Sequence, residues 1–443
     1  MTHVHDARLR CAFFDVCQAV WAALKYYMTQ NNASTSTKSN DLTITPAEKR
    51  ILYVLAGIQF THIVDFMIMM PLGPMLQREL GIDTAQFGVL VSSYTFAAAI
   101  MGLLCALFVE RFERKRLLLV LYVLFAAATV ACALAPNYWG LLIARCLAGA
   151  FGGVMGAIVN TVVTDVVPPQ RRGQAMGLVS RSFALSTVAG VPLSLFLANH
   201  TPVLTWRAPF ILVAVLSLVF AYVGWRQLPK GPAPAAQDGL ALKAAGQRII
   251  DVLADPIHCA SILFGSLILF SAFLVIPYIT IYATRNVGIA ETVLPLMYLI
   301  GGACTLWSAP KIGKYADKRG KLPVFRMFAL LAIIPMLITT HLGVTPVWAY
   351  LVLSAVFFVL ISGRMIPAQA LMAGSAKPAT RGTFMSLSAS IQQAAMGLAT
   401  LVAGHIISIN PAGMVDHYKV VGYIAAFSAL CAIGMAGWVK QRA

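Results

Sequence analysis

Twelve long apolar runs leave this chain few folds to choose from. They cover residues 51–76, 86–109, 117–135, 138–164, 174–198, 208–225, 257–283, 290–312, 324–340, 346–375, 383–408 and 420–438. A helix rises ~1.5 Å per residue, so ~20 residues cross a hydrocarbon core ~30 Å thick. No water in that core can satisfy a backbone N–H or C=O, so each run must be a helix bundled against others. Composition agrees: the chain is 59% hydrophobic and 11% charged, whereas soluble domains carry about 25% charge. The expected fold class is an all-α membrane protein of twelve transmembrane helices.

A formal net charge of +17 raises the question of a nucleic-acid partner, and the distribution of the charge answers it. With both termini on one side, the loops and helix ends there hold Lys49, Arg50, Arg111, Arg114, Lys115, Arg116, Arg171, Arg172, Arg226, Lys230, Lys243, Arg248, Lys311, Lys314, Lys318, Arg319, Lys321, Lys377, Arg381, Lys440 and Arg442, 21 in all. The opposite loops hold four: Arg78, Arg207, Arg285 and Lys419. Basic residues collect on the cytoplasmic side of membrane proteins. Both termini and the 226–256 link are therefore expected in the cytoplasm, and the charge calls for no nucleic acid. Six of the eight cysteines (Cys105, Cys132, Cys146, Cys259, Cys304 and Cys431) lie in apolar runs without metal spacing and read as packing residues. No zinc, P-loop or serine-hydrolase motif occurs, so no enzyme, metal or cofactor is expected.

Between the eighth and ninth runs stands Gly-x-x-x-Asp-Lys-Arg-Gly-Lys, formed by Gly313, Asp317, Lys318, Arg319, Gly320 and Lys321. A worn copy, Ala106, Glu110, Arg111, Glu113, Arg114, Lys115 and Arg116, stands between the second and third. Each reads as a short charged turn. Asp317 and Glu110 are 317 − 110 = 207 residues apart. Arg172-Gly173 and Met176 repeat as Arg381-Gly382 and Met385 at an offset of 209, and Pro71 repeats as Pro277 at 206. A near-constant offset implies duplication into two six-helix halves, 49–225 and 257–438.

The charged turns resemble the signature loop of the major facilitator superfamily, and the resemblance spans about residues 49–438. It implies halves related by an axis along the membrane normal, with substrate bound between them near the midplane. It also implies that the turns are gating loops, latching the second helix to the eleventh and the eighth to the fifth when the carrier faces outward. Their residues would be Glu110, Arg111, Arg114 and Lys115, with Asp165 joining Arg111 or Arg114, and Gly313, Asp317, Lys318, Gly320 and Lys321. Gly374-Ser375 stand where the second half would repeat Asp165, so an asymmetric latch is expected.

Outside the halves, residues 1–48 are expected to be a disordered cytoplasmic tail. Positions 29–46 are polar, while the apolar stretch 11–24 is interrupted by Asp15 and Gln18 and lacks a cleavage site. Members of the resembling family begin just before their first helix, which makes Met28 an alternative start. The 226–256 link combines a flexible Lys230-Gly-Pro-Ala-Pro stretch with an amphipathic helix over Leu240 to Leu253, whose wet side carries Lys243, Arg248 and Asp251. Residues 439–443 form a short cytoplasmic tail.

A charge at a membrane helix centre costs ~2.5–3.5 kcal/mol on insertion scales, so the few inside the runs are informative. Asp65 in the first run and Arg145 in the fourth fall at similar depths, which allows an ion pair or a shared cavity. His62 lies one turn from Asp65 on the same helix face and titrates near neutrality. Arg364 in the tenth run is mid-membrane without an acid of its own half at that depth. It is expected to pair with Asp65 or to receive an anionic substrate group, with Gln392 and Gln393 as further polar contacts in the substrate cavity. Arg181 snorkels to the surface. Gly190 and Pro192 resemble the helix-5 signature of the family's drug/proton antiporters, and Arg145 resembles the intramembrane arginine of that branch, associated there with proton coupling.

The resulting expectation is a monomeric secondary transporter of the bacterial inner membrane. It would export a small organic molecule by alternating access, coupled to protons through Asp65, Arg145 and His62. A proton-coupled importer of a small metabolite, and a non-transporting receptor, are the alternatives.

Overall fold

A computed structural model describes residues 44–108, 112–168, 171–201, 203–229, 240–377 and 380–441. Eleven of its spans are long and apolar enough to cross a membrane. A further long helix, Arg381–Ile406, has the length but falls short in hydropathy, because Ser386, Ser388, Ser390, Gln392 and Gln393 dilute it.

In the first half the helices are α1 (Pro46–Ile68), α2 (Gly73–Leu80), α3 (Thr84–Phe108), α4 (Arg114–Leu134), α5 (Tyr138–Gly152), α6 (Met155–Val166), α7 (Arg172–Leu185), α8 (Val191–His200) and α9 (Arg207–Gln227). The link carries α10 (Leu240–Leu253). In the second half come α11 (Pro256–Val275), α12 (Ile279–Tyr282), α13 (Leu294–Arg319), α14 (Lys321–His341), α15 (Val347–Ser375), α16 (Arg381–Ile406) and α17 (Tyr418–Met435). The only strands among the described residues are β1 (Ser408–Ile409) and β2 (Val415–Asp416), an antiparallel hairpin pairing Ser408 with Asp416 and Ile409 with Val415. Helix starts have local causes. Asp83 and Gln86 cap α3 reciprocally, each side chain accepting the other's backbone N–H. Asp255 caps α11 ahead of Pro256.

The two halves break at the same place. α1 stops at Ile68 in a turn around Pro71, and α11 gives way at Ile276–Tyr278 to a 3-10 turn around Pro277. Proline lacks an N–H and cannot continue the ladder, so both breaks follow from residues 206 positions apart (277 − 71). The fifth apolar run is interrupted by a π-turn at Ser186–Gly190 just before Pro192. There a Cβ on Gly190 would lie 2.3 Å from Val64 Cγ2, so glycine is what lets α1 come this close.

Several expectations are corrected. The fourth run is two helices, α5 and α6, separated at Gly153–Val154. The Gly313–Lys321 motif is not a loop. α13 runs through Gly313, Asp317, Lys318 and Arg319, and the turn is confined to Gly320 at φ 91° and ψ 142°. Helix-forming Ala316, Lys318 and Arg319 extend α13 past its apolar part, and the basic residues in its last turn complement the helix dipole. The tail boundary also moves, since α1 begins at Pro46. Residues 1–43, with Glu110, Arg111 and Lys230–Gly239, lie outside the described residues.

The halves meet along two seams. α3 packs against α16, and α13 packs against α8 and the π-turn of the fifth run. The first seam uses small residues: a Cβ on Gly88 would lie 3.1 Å from the Thr400 carbonyl, and one on Gly397 would lie 2.6 Å from Thr95 Oγ1. Small residues let helices approach closely where lipid gives no hydrophobic drive. Hydrogen bonds between the halves cluster at the end of the bundle away from Pro46 and Trp438. There Thr84 donates to the Ile407 carbonyl (2.6 Å), Thr280 to that of Met70 (3.1 Å) and Tyr278 to that of Thr84 (3.4 Å).

Candidate transport site

Asp65 sits three residues before the end of α1, and Arg145 in the middle of α5. The structure brings them together: Arg145 Nη1 donates to Asp65 Oδ2 at 2.9 Å, with the two side chains 1% and 0% exposed. Arg145 also reaches the Asp65 backbone carbonyl at 3.3 Å, and Thr129 of α4 donates to Asp65 Oδ1 at 3.4 Å. The guanidinium lies 4.4 Å from the centre of the Tyr94 ring. A buried charge needs a partner, and this cluster supplies one for each charge, while Arg145 Nε has no protein partner. Four helices build it, α1, α3, α4 and α5, and glycine lets α5 reach α3. A Cβ on Gly149 would lie 2.2 Å from the Tyr94 carbonyl oxygen, so α5 crosses α3 there in backbone contact.

Around the pair is an aromatic shell. His62 lies 6.5 Å from Tyr94 and 6.1 Å from Phe125 between ring centres. Phe66 lies 5.4 Å from Tyr94 and stacks on Phe273 of α11 at 6.0 Å. That stack joins the halves one residue from Asp65, a contact worth ~0.5–1.5 kcal/mol beyond its area.

Arg364 does not meet Asp65, contrary to one sequence expectation. It is buried on α15 and turned toward α11 of its own half, donating to Ser271 Oγ at 3.4 Å and the Ile268 carbonyl at 3.3 Å. Asp65 is already taken by Arg145 and Thr129. Gln392 donates to Ser388 on its own helix at 2.7 Å, and its amide carbon lies 3.2 Å from where a Cβ on Gly265 would stand. Gln393 Oε1 is buried without a protein partner. Arg181 is exposed, as a snorkelling arginine should be.

Of the gating residues, Asp165 pairs with Arg114, and Lys115 donates to the Leu228 carbonyl. Asp317, Lys318 and Gly320 are exposed, and Lys321 is half-buried. At this same end a side chain added at Gly173, Gly177 or Gly382 would meet nothing within 4 Å, and Gly313 has one neighbour, Ile366, at 3.9 Å. α13 hugs α8 and the π-turn but barely touches α7. This pair of helices therefore parts toward the end that carries Pro46.

The opposite end is clasped by residues that patterning did not single out. Arg78 pairs with Glu291 across the halves at 2.6 Å, a hydrogen bond that raises the guanidinium above its ordinary pKa. Asn199 donates to the Glu291 carbonyl at 3.2 Å. Arg285 donates to the Gly413 carbonyl in the β-hairpin at 3.0 Å and to Gln77 Oε1 at 3.5 Å. The available signal was scarcity, because Arg78 and Arg285 are two of the four basic residues expected on that side.

Two bundled halves broken at matched prolines, the first holding a buried ion pair, match the architecture that the charged-turn resemblance implied. A family model for the major facilitator superfamily matches residues 55–400. The chain belongs to that superfamily, whose members are transporters. Among curated relatives, it is 25% identical over 264 residues to a probable sugar efflux transporter of Helicobacter pylori strain G27, covering 59% of this chain and 64% of the relative. It is 31% identical over 149 residues to a probable sugar efflux transporter of Mannheimia succiniciproducens, covering 34% and 37%. The matches thus span less than two thirds of those relatives. Among solved structures, a D-xylose–proton symporter superposes with TM-score 0.71 at 18% identity, covering 87% of this chain and 97% of that one. An inward-facing bacterial homologue of the lysosomal transporter Spinster gives 0.66 at 17%, covering 90% and 95%. These two likenesses establish the fold alone.

Proposed function

We propose that this protein is a proton-coupled secondary transporter, working by alternating access and exporting a small organic molecule across a bacterial inner membrane. The observation that carries the reading is the Asp65–Arg145 pair, joined at 2.9 Å and, among the described residues, the one ion pair whose two members are both at most 1% exposed. Protonating Asp65 removes its charge and loosens its hold on Arg145. Because α1 and α5 hold the pair together, its strength biases how the helices of the first half sit. A proton can drive the cycle only if it binds the two facing states differently, and a carboxylate whose partner moves meets that condition.

Basic residues dominate the end that carries Pro46, which favours a cytoplasmic position for it. The clasp at the far end then closes the outside, and the parting of α7 from α13 opens the inside. The domain division at 49–225 and 257–438, and a monomeric carrier, belong to the same proposal. The relatives' names make polyhydroxylated compounds the first class to screen, and the aromatic shell of Phe66, Tyr94 and Phe273 suits the apolar faces of such molecules.

The test uses proteoliposomes and a panel of sugars and sugar derivatives. Wild type should accumulate one of them against a pH gradient in the exporting direction, and Asp65→Asn should abolish gradient-driven movement while sparing exchange of substrate for substrate. Gradient-driven transport by Asp65→Asn at the wild-type rate would remove Asp65 as the coupling group.

A further inference from the structure

Asp65 is sealed from the surface, yet a coupling carboxylate must exchange protons with water. We infer that a single file of water leads from the Pro46 end of the bundle to the Asp65–Arg145 pair, along a glycine face of α5 and α6 lined by Gln59, His62 and Tyr94. The inference rests on the proposed role of Asp65 as the coupling carboxylate.

The helix geometry draws the line of the file. Gln59, His62 and Asp65 are spaced by three residues, so they share a face of α1 and cover ~9 Å of its axis. Two glycine pairs with i, i+4 spacing look in different directions from the facing segment. Gly149 and Gly153 are shut against α3: Cβ atoms there would lie 2.2 Å from the Tyr94 carbonyl oxygen and 2.2 Å from Ala98 Cβ. Gly152 and Gly156 instead face polar side-chain ends. A Cβ on Gly152 would lie 2.6 Å from the Tyr94 hydroxyl and 3.0 Å from His62 Cδ2, and on Gly156 3.5 Å from the Gln59 amide nitrogen.

Along this line are five buried polar atoms without a protein partner: Gln59 Oε1, both His62 ring nitrogens, Tyr94 Oη and Arg145 Nε. Buried polar atoms in native proteins are nearly always hydrogen-bonded, to water if not to protein. Here donors and acceptors without partners follow one another toward an ion pair, the arrangement a water file requires. The passage is too narrow for a carbon skeleton. At Gly152 one added carbon would lie 2.6 Å from the Tyr94 hydroxyl, 3.0 Å from His62 Cδ2 and 3.1 Å from Phe125 Cδ2, so no carbon skeleton passes there, and the Tyr94 hydroxyl is the hydrogen-bonding atom at that point. That separates a proton route from a substrate pocket. Asn160, one turn beyond Gly156 on α6, is exposed and marks the mouth.

His62 is the one member of the file whose side chain brings two unpartnered ring nitrogens to it. The ionisable groups facing it are Asp65 on its own helix, Tyr94 of α3 and Arg145 of α5. From α4 come Phe125 and, stacked on it, Tyr122, whose hydroxyl is bonded to Thr61 at 2.7 Å. α7 and α9 meet α1 with Ser182 and Phe220, which do not titrate.

The experiment measures how fast Asp65 takes up a proton, without needing the substrate. The full-length protein in lipid nanodiscs is given a pH step, and the infrared carboxyl band that is lost in Asp65→Asn is followed in time. Gly156→Leu, which plugs the file, and His62→Leu, which cuts it, should slow the band about tenfold or more while leaving its final amplitude unchanged. His62→Gln, which keeps a hydrogen-bonding end, should restore part of the rate. Should Gly156→Leu fail to fold, Gln59→Leu adds no bulk to the helix backbone and carries the same expectation. Wild-type rates in the plugged and cut variants would overturn the file and leave the role of Asp65 standing. Normal slowing in a protein whose transport needs no proton would overturn the coupling role and leave the file standing.

Discussion

If the Asp65–Arg145 pair couples transport rather than merely stapling α1 to α5, stability and activity must separate when the pair is dismantled. Asp65→Leu leaves a guanidinium buried at 1% exposure, with the Tyr94 ring and one backbone carbonyl as its remaining company. Arg145→Met leaves a carboxylate with Thr129 alone, at 3.4 Å. Stranding one member of a buried pair costs ~3–5 kcal/mol. The arginine variant should fall toward the lower end, because an abandoned carboxylate can take up a proton whereas an abandoned guanidinium cannot lose one. Combining the two strands no charge, and apolar replacements of similar volume are often neutral, so the double variant should recover at least ~2 kcal/mol of the summed losses. Unfolding midpoints in detergent measure that recovery, and proton flux in proteoliposomes measures the function. The expected outcome is recovered stability in the double variant with no recovery of proton-coupled flux. Strictly additive losses would refute the pairing, and a double variant with restored coupled flux would reduce the pair to a structural staple.

How much of this was legible in the sequence depended on whether a signal was local. Spans were legible because each needs ~20 apolar residues in a row, and only α16 dropped below the threshold, through its serines and glutamines, of which Ser390 meets α3 at Gly102 and Gln392 meets α11 at Gly265. Asp65 and Arg145 stood out because a charge in an apolar run is costly wherever it points, and their depths could be counted along two helices. The same counting put Arg364 within reach of Asp65 and was misleading, since depth along a helix says nothing of azimuth. Only the packing of α15 against its own half shows that the guanidinium turns to Ser271. Tyr94, Thr129 and Gln59 were invisible for a related reason. Uncharged polar residues are common in membrane helices, and what singles these out is the helix-5 and helix-1 surface they face. Gly313 to Arg319 misled in the other direction: charge suggested a loop, while helix propensity and the dipole extended α13 until Gly320 stopped it at a backbone angle favouring glycine.

The remaining predictions test the scaffold around the pair. Single cysteines at Gly343 and Gln247 in a cysteine-free background should label from opposite sides of the membrane, and labelling of both from outside intact cells would overturn the topology. Gly149→Ala should abolish folded protein, since its Cβ would stand 2.2 Å from the Tyr94 carbonyl oxygen. Gly173→Ala, with nothing within 4 Å, should be stable to within ~0.5 kcal/mol, and equal yields of the two would contradict the backbone crossing. Asp317→Asn should slow transport at unchanged abundance, because the exposed acid carries no folding contact yet sits where the ends of α7 and α13 must meet when this side closes; an unchanged rate would leave it a topological marker. The clasp at the far end gives the finest test, because its strength can be bounded. Arg78 is 59% exposed and Glu291 25%, so the pair between them is a screened one worth ~0.2–1 kcal/mol, a shift of up to about fivefold between closed and open populations. Arg78→Ala should therefore widen, without opening outright, the distance distribution between spin labels at Val203 and Val344, since Asn199 and Arg285 still tie the halves there. Raising salt from 0.05 to about 0.5 M should reproduce part of the widening in the wild type and none in the variant. Identical distributions at both salt concentrations would mean that the closed end is held by the apolar packing of the seams alone, with the charged clasp contributing nothing to which way the carrier faces.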